Sequence, residues 1–398
     1  MSDHTAEDVN PAPAAITVGR PATSRKGMNT MPTKSIQGLI AAGLVAAGGL
    51  AATAGAASAP ATATDHAVNA ARAKPRIAFI LSGVMDTDRS LYVVNADGSG
   101  RRRLSRPTVN SMAWSPDGRR IAVTAWFSRP VASDLFVMNA DGSGRRRLTR
   151  SPTRAHTYDA AWSPDGRQIA FASPRTGSYE IYVMNADGSA QRRLTHNVSD
   201  EYGQAWSPDG RQIAFTSKRD GNDEVYVMNA DGSAQQRLTS NAAGDDTPAW
   251  SPDGRQIAFI SDRDGNDEVY VMNADGSGQR RLTRNDRALD YDAAWSPDGR
   301  QIVFTRTRGP EGVPNAVYVM NADGSGQRRL ARSGAAPRWS PDGRRIAFLS
   351  RYDLIGPPHR GYRDVYIMNA DGSGQRRLTH NRRGIRVVSL AWSPGPRK

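Results

Sequence analysis

The chain has 398 residues, 38% of them hydrophobic, no cysteine, and a formal net charge of +14. Without cysteine there is no disulfide, no thiol nucleophile and no Cys-based metal site, so stability rests on packing, for which the chain is long enough. Residues 1–75 contribute six Lys/Arg against four Asp/Glu, so nearly all of the positive excess lies beyond them. That excess favours non-specific attraction to polyanions, while the absence of any nucleic-acid-binding motif argues against specific nucleic-acid recognition.

At the N-terminus, residues 36–59 read IQGLIAAGLVAAGGLAATAGAASA, an uncharged stretch preceded by Arg25, Lys26 and Lys34 and closing on small residues. A basic region, an apolar run and small-x-small sites such as Ala57-Ser58-Ala59 and Ala61-Thr62-Ala63 form the pattern of a secretory signal. Residues 1–59 are therefore expected to be a leader and signal peptide, with an uncleaved membrane anchor as the alternative. Met28 or Met31 is a candidate internal start, and Ala-rich residues 60–75 read as a disordered linker. The expected location is outside the cytoplasm: extracellular, periplasmic or bound to the cell envelope.

From residue 76 onward one unit recurs, shown best by AWSPDGRQIAFTSKRDGNDEVYVMNADGSAQQRLT around Trp206. Its tryptophans are Trp114, Trp162, Trp206, Trp250, Trp295, Trp339 and Trp392, about 45 residues apart, and each is read as a structural residue of the repeat. Such a period, with short strand-like pieces between turn signals, points to a β-propeller. Ser-Pro-Asp-Gly places Pro and Gly where a tight turn needs them, and Asn-Ala-Asp-Gly makes a second hairpin. Each unit divides into four strands: a Trp strand, Gln-Ile-Ala-Phe, Val-Tyr-Val-Met and a polar outermost Arg-Leu-Thr. In Ile213-Ala214-Phe215 the large residues share one face and Ala holds the other, so stacked blades can set large against small.

Residues 76–104 contain three strands and no Trp strand, whereas 388–394 is a Trp strand alone. Together they make one composite blade, and six whole copies complete an all-β, seven-bladed propeller over 76–398 with no open sheet edge. Trp-Ser-Pro-Asp-Gly-Arg, Ile-Ala-Phe and Tyr-Val-Met-Asn-Ala-Asp-Gly resemble the repeats of TolB-like propeller proteins. The resemblance implies binding in the cell envelope or outside the cell, and is confined to the propeller, since nothing here matches the separate N-terminal α/β domain of TolB.

Four antiparallel strands put both repeated turns on one face and the variable connections on the other, where function on a rigid scaffold usually lies. The candidate ligand-binding residues are Tyr158, Asp159, Glu201, Tyr202, Asp246, Tyr291 and Asp292, an acidic and tyrosine-bearing arc ahead of consecutive Trp strands, which suits a cation, a stacked sugar or a basic peptide. Two long excursions add Trp126 and Phe127, then Tyr352, His359 and Tyr362. A composition like that of a calcium loop at 262–268 is nearly copied at 220–224 and reads as a turn. The paired arginines of the outermost strands form a basic edge available to anionic polymers.

No nucleophile elbow or His-Glu-x-x-His motif is present, and His66, His156, His196, His359 and His380 show no metal-ligand spacing. The expected function is therefore non-catalytic binding or scaffolding by a monomer without cofactor or metal, its partner a protein or glycan of the cell envelope. A lyase-like propeller enzyme acting on a polysaccharide and a polyanion-binding structural protein are the alternatives.

Overall fold

The computed structural model describes residues 75–395 except 84–87, 106–107, 129–130, 153, 309–314, 351–363 and 383. Its strands form seven four-stranded antiparallel sheets, and the described residues include no helix. The composite blade runs in the order Arg386–Trp392, Arg76–Ser82, Arg89–Asn95 and Arg102–Arg103. The second blade is built from Val109–Trp114, Arg120–Ser128, Val131–Asn139 and Arg146–Arg147, and the third from Tyr158–Trp162, Gln168–Ser173, Glu180–Asn185 and Arg192–Arg193. Glu201–Trp206, Gln212–Ser217, Glu224–Asn229 and Gln236–Arg237 make the fourth, and Asp245–Trp250, Gln256–Ser261, Glu268–Asn273 and Arg280–Arg281 the fifth. The sixth comprises Ala288–Trp295, Gln301–Arg308, Ala316–Asn321 and Arg328–Ala331. The seventh comprises Ala335–Trp339, Arg345–Ser350, Asp364–Asn369 and Arg376–Arg377.

Alternation along the strands builds the core between blades. Ala161, Ala170, Ile181 and Val183 of the third blade meet Trp206, Ile213, Phe215, Tyr226 and Met228 of the fourth, while Ala205, Ala214, Val225 and Val227 face the fifth. Each large face thus lies on a small one, and a full circuit leaves no blade face uncovered. The tryptophans add a directional bond: Trp206 Nε1 donates to the Ala161 carbonyl (3.1 Å) and Trp250 Nε1 to that of Ala205 (3.2 Å), each the residue before the preceding blade's Trp.

The outermost strand differs from the expected Arg-Leu-Thr. In every blade but the sixth only two residues pair, as in Gln236–Arg237, where Leu238 and Thr239 turn inward and are buried. The Val225 amide donates to Thr239 Oγ1 (2.9 Å), so the threonine satisfies a backbone donor that a longer strand would have paired.

On the face of the repeated turns, Gly and Pro make a collar. A Cβ on Gly210 would lie 3.5 Å from Pro164 Cδ, on Gly166 3.5 Å from Pro116 and on Gly118 3.5 Å from the Pro394 carbonyl, so each turn nests on its predecessor across the closure as well. Gly232 in the next hairpin has φ +85° and the Leu194 backbone 3.2 Å from any added Cβ, which requires glycine twice over. Closure also copies the ordinary turn. In the fourth blade Gln212 N donates to Ser207 Oγ (2.9 Å) and Ser207 N to the Gln212 carbonyl (2.9 Å). In the composite blade Arg76 N donates to Ser393 Oγ (3.0 Å) and Ser393 N to the Arg76 carbonyl (2.7 Å).

Candidate functional site: the variable face

Three kinds of residue meet on the face opposite the collar, separated by what their polar atoms are bound to. The first kind is acidic and internal. Glu201 is fully buried; Arg219 donates to it (2.8 Å), as do Ser217 Oγ (2.7 Å) and Asn197 Nδ2 (2.6 Å). Arg219 also lies 4.5 Å above the Tyr226 ring, which tilts against Phe215 at 5.7 Å. Asp245 with Arg263 and Asp290 with Arg306 repeat the arrangement in the next two blades. Burial pushes the Asp290 carboxyl up to about 6, with the Arg306 guanidinium opposing it.

A further carboxylate series escapes inspection of the rim. Glu180, Glu224, Glu268 and Asp364 start the third strand of their blades, Asp134 lies inside the longer third strand of the second blade, and all five are buried. Glu224 accepts from Arg237 (2.7 Å), Asn222 Nδ2 (2.9 Å) and the Asn241 amide (3.2 Å), which ties the outermost strand to the loop leading into the next blade. Its signal in the sequence is a constant spacing of thirteen residues from each acid to its arginine, as from Glu180 to Arg193. Ser90 and Ala316 stand where the composite and sixth blades lack the acid.

The tyrosines of the arc are tied within their own blades. Tyr202 donates to Asp223, Asn315 Nδ2 donates to the Tyr291 hydroxyl, and the Tyr158 and Tyr179 hydroxyls bond to one another. Each partner, Asp223, Asn315 and Tyr179, immediately precedes the third strand, so these rings brace the loop beside them. Asp246 is half-buried and accepts from Thr247 Oγ1 (3.1 Å).

The second kind of residue lines the inner strands. Three positions before the Trp, Asp159 (φ +54°), Gly203 (+66°), Thr247 (+52°), Asp292 (+58°) and Ala336 (+50°) share the left-handed backbone of a bulge. Asp159 is 9% exposed, its Oδ2 lacks a partner, and burial pushes its carboxyl up to about 8. Gln204 Nε2, from the neighbouring blade, donates to the Asp159 carbonyl, while Gln204 Oε1 is buried without a partner. Asp292 accepts from Thr305 Oγ1 (3.2 Å) and the Ala336 amide (3.2 Å). Burial also raises the Asp292 carboxyl, against the opposing charge of buried Arg338, which stands where the other blades carry alanine.

The third kind is aromatic. The second blade's central hairpin continues through Trp126↔Ser133, Phe127↔Ala132 and Ser128↔Val131, whereas the fourth blade's ends at Ser217↔Glu224. Phe127 packs on Phe136 (5.9 Å) with Arg147 above it (5.3 Å). Trp126, on the opposite side of the strand, is half-buried and belongs to none of the core clusters of the described residues. The segment bridged to this hairpin at Ser133↔His156 carries His156 and Tyr158, and the ring centroids of His156, Tyr158 and Tyr179 are 6.2 and 5.7 Å apart in succession.

Several of the arginines of the outermost strands hold neighbouring blades together, while others, such as Arg102 and Arg146, are exposed. Arg192 donates to the Asp231 (2.7 Å) and Ala230 (3.0 Å) carbonyls of the next blade, and Arg280 to those of Asp323 (2.8 Å) and Ala322 (3.2 Å). Arg376 closes the circuit on the Ala96 and Asp97 carbonyls. Gln236 takes this place in the fourth blade. At the calcium-like loop, Tyr270 and Arg281 both engage Asp264, and among the described residues no three His, Cys, Asp or Glu are placed to hold a metal. Tyr352, His359 and Tyr362, like residues 1–74, lie outside the described residues.

The solved structures similar to this chain include a putative TolB from Agrobacterium tumefaciens, 26% identical over 68% of this chain and 96% of that one with a TM-score of 0.50. TolB from Acinetobacter baumannii is 20% identical over 77% of this chain and 79% of its own, at 0.52. An oligogalacturonate lyase in complex with manganese shares the fold at 13% identity over 77% of this chain and 85% of that one, at 0.55. Direct sequence comparison with curated proteins finds no match. The TolB beta propeller domain family matches residues 70–247 and 240–355, most of the length of the seven-bladed ring, and the chain belongs to that family.

Proposed function

We propose that this chain is an exported, non-catalytic binding propeller that holds a protein or glycan of the cell envelope on its variable face. The observation that carries the reading is the one-sided distribution of departures from the repeat. The collar recurs turn after turn, whereas the long second-blade hairpin and the bulge side chains Asp159 and Asp292 belong to the opposite half of the blades. A scaffold that needed only to close would have no cause to vary there. Export is supported by the signal-like segment at residues 36–59.

Capture from an envelope extract by the full chain tests both parts. A variable-face variant, Phe127→Ala with Leu289→Asp, the latter an exposed side chain at the start of Ala288–Trp295, is compared with a constant-face variant, Arg211→Ala with Arg255→Ala, whose arginines each follow a Ser-Pro-Asp-Gly turn. Capture lost only in the first is expected. Equal capture by all three, abolished by salt, overturns the assignment and leaves only loose polyanion binding.

A further inference from the structure

We infer that the corner formed by Trp126, His156 and Tyr158 is a binding site for the pyranose ring of an uncharged saccharide. This rests on the variable face being the binding face, and it names the ligand class that the face receives.

The geometry comes from a short irregular ladder. Trp126 pairs with Ser133 across the second-blade hairpin, and Ser133 forms a parallel bridge with His156 on its other side. The Ser133 amide donates to the Ala155 carbonyl (3.1 Å) and the Thr157 amide to the Ser133 carbonyl (3.2 Å). Residues directly opposite in a ladder project from the same face, so the indole and the imidazole flank a small serine, about 10 Å apart by two strand spacings. Tyr158 stands two residues further along the same segment, its ring centroid 6.2 Å from that of His156. Trp126, His156 and Tyr158 are all half-buried.

Both edges of this hairpin are already occupied. The Trp126 amide donates to the Thr108 carbonyl (2.8 Å) on one side, and residues 155–157 fill the other. An extended peptide therefore has no strand edge to join, which removes the commonest backbone-driven mode of peptide capture. What the corner offers is mainly ring faces, with the charge of Arg89 acting on Tyr158 from the composite blade. Burial lowers the pKa of His156, favouring the neutral imidazole, and its Nδ1 is sealed from solvent without a partner. The Tyr158 hydroxyl lies in its bond with Tyr179, and the carboxyl of Asp159 behind them is held toward its protonated form. Aromatic faces able to stack on C–H groups suit a pyranose ring better than an ion.

Isothermal titration calorimetry of the full chain with maltotriose, cellotriose and N,N′-diacetylchitobiose tests this. At least one sugar is expected to bind. Trp126→Ala should weaken it by about tenfold or more and His156→Gln by severalfold, while Trp126→Phe, which keeps a ring, restores most of the loss. Arg211→Ala on the far face leaves binding unchanged, and matched melting temperatures separate loss of the site from loss of the fold. Binding of none of the three at about 10 mM, or binding indifferent to Trp126→Ala, overturns the inference. If extract capture still depends on the variable face, only the saccharide assignment falls; if that dependence is absent too, the binding-face reading falls with it.

Discussion

The two faces of this ring are made from the same strands and differ in how their polar groups are satisfied. On the collar side each turn closes on itself: Ser207 Oγ donates to Asp209 (2.6 Å), Ser233 N to Asp231 (2.9 Å), and glycines nest on the preceding blade. On the variable side carboxylates diverge. Glu201, Asp245 and Asp290 each have an arginine, whereas Asp159 occupies a bulge in the same arc with no cation bonded to it in the structure. A buried acid with an arginine extends the scaffold; one without it is a local cost retained against stability. Repetition therefore marks what holds the ring, and exceptions to repetition mark where something else constrained the chain.

The strongest way to break this contrast is to remove a repeated inter-blade anchor. Trp206→Ala should cost about 3–5 kcal/mol, since it deletes a buried indole between the third and fourth blades and leaves the Ala161 carbonyl without its donor. Chemical denaturation measures it, and wild-type stability in the variant would show that the tryptophans do not anchor the blades.

An effect of opposite sign, set by pH, is expected at the exception. Because the folded carboxyl of Asp159 titrates near 8 and an unfolded one near 4, the folded state holds the extra proton between those values. Its contribution is fully present below about pH 4, declines as pH rises through that window at up to about 1.4 kcal/mol per unit, and is lost above about pH 8. Asp159→Asn, whose side chain tolerates a left-handed backbone, should therefore melt higher than wild type at pH 8 and lose that advantage near pH 4. A pH-independent difference in melting temperature would contradict the assignment.

The smallest expected change sharpens the role of the outer clasps. Gln236→Arg installs at the seam between the fourth and fifth blades the guanidinium found at Arg192 and Arg280, within reach of the Asp275 turn. It should add about 0.5–1 kcal/mol, as expected for an exposed charge-assisted hydrogen bond. No change in the denaturation midpoint would mean that these clasps are geometric companions of closure without energetic weight.

Most of the fold was legible because the repeat presents its periods seven times: alternation in Ile-Ala-Phe, turn chemistry in Ser-Pro-Asp-Gly and the split of one blade between residues 76–104 and 388–394 each have one reading. The candidate site was legible only as composition. Asp200-Glu201-Tyr202 reads as an acidic rim, yet Glu201 and Asp290 lie inside their blades while Asp159 and Asp292 sit at bulges, and a bulge reverses the alternation on which inward and outward assignments depend. Gln204 and Ser133 gave no signal, because their importance comes from contacts with the Asp159 carbonyl and with His156 on a neighbouring segment. The thirteen-residue spacing from Glu224 to Arg237 was readable, and it is lost among the many arginines of the outermost strands unless acid and base are counted as a pair.

The hydrogen bonds between Arg76 and Ser393 have a topological consequence. The propeller's two ends meet in the shape of a turn whose middle is missing, so the order of its seven blades is a circle and its starting point is arbitrary. A short Pro-Asp-Gly-Arg bridge between Ser393 and Arg76, with the chain reopened at another Ser-Pro-Asp-Gly turn, should give a circular permutant with the same seven seams. Each seam would then become, in its turn, the place where the chain's two ends are clasped.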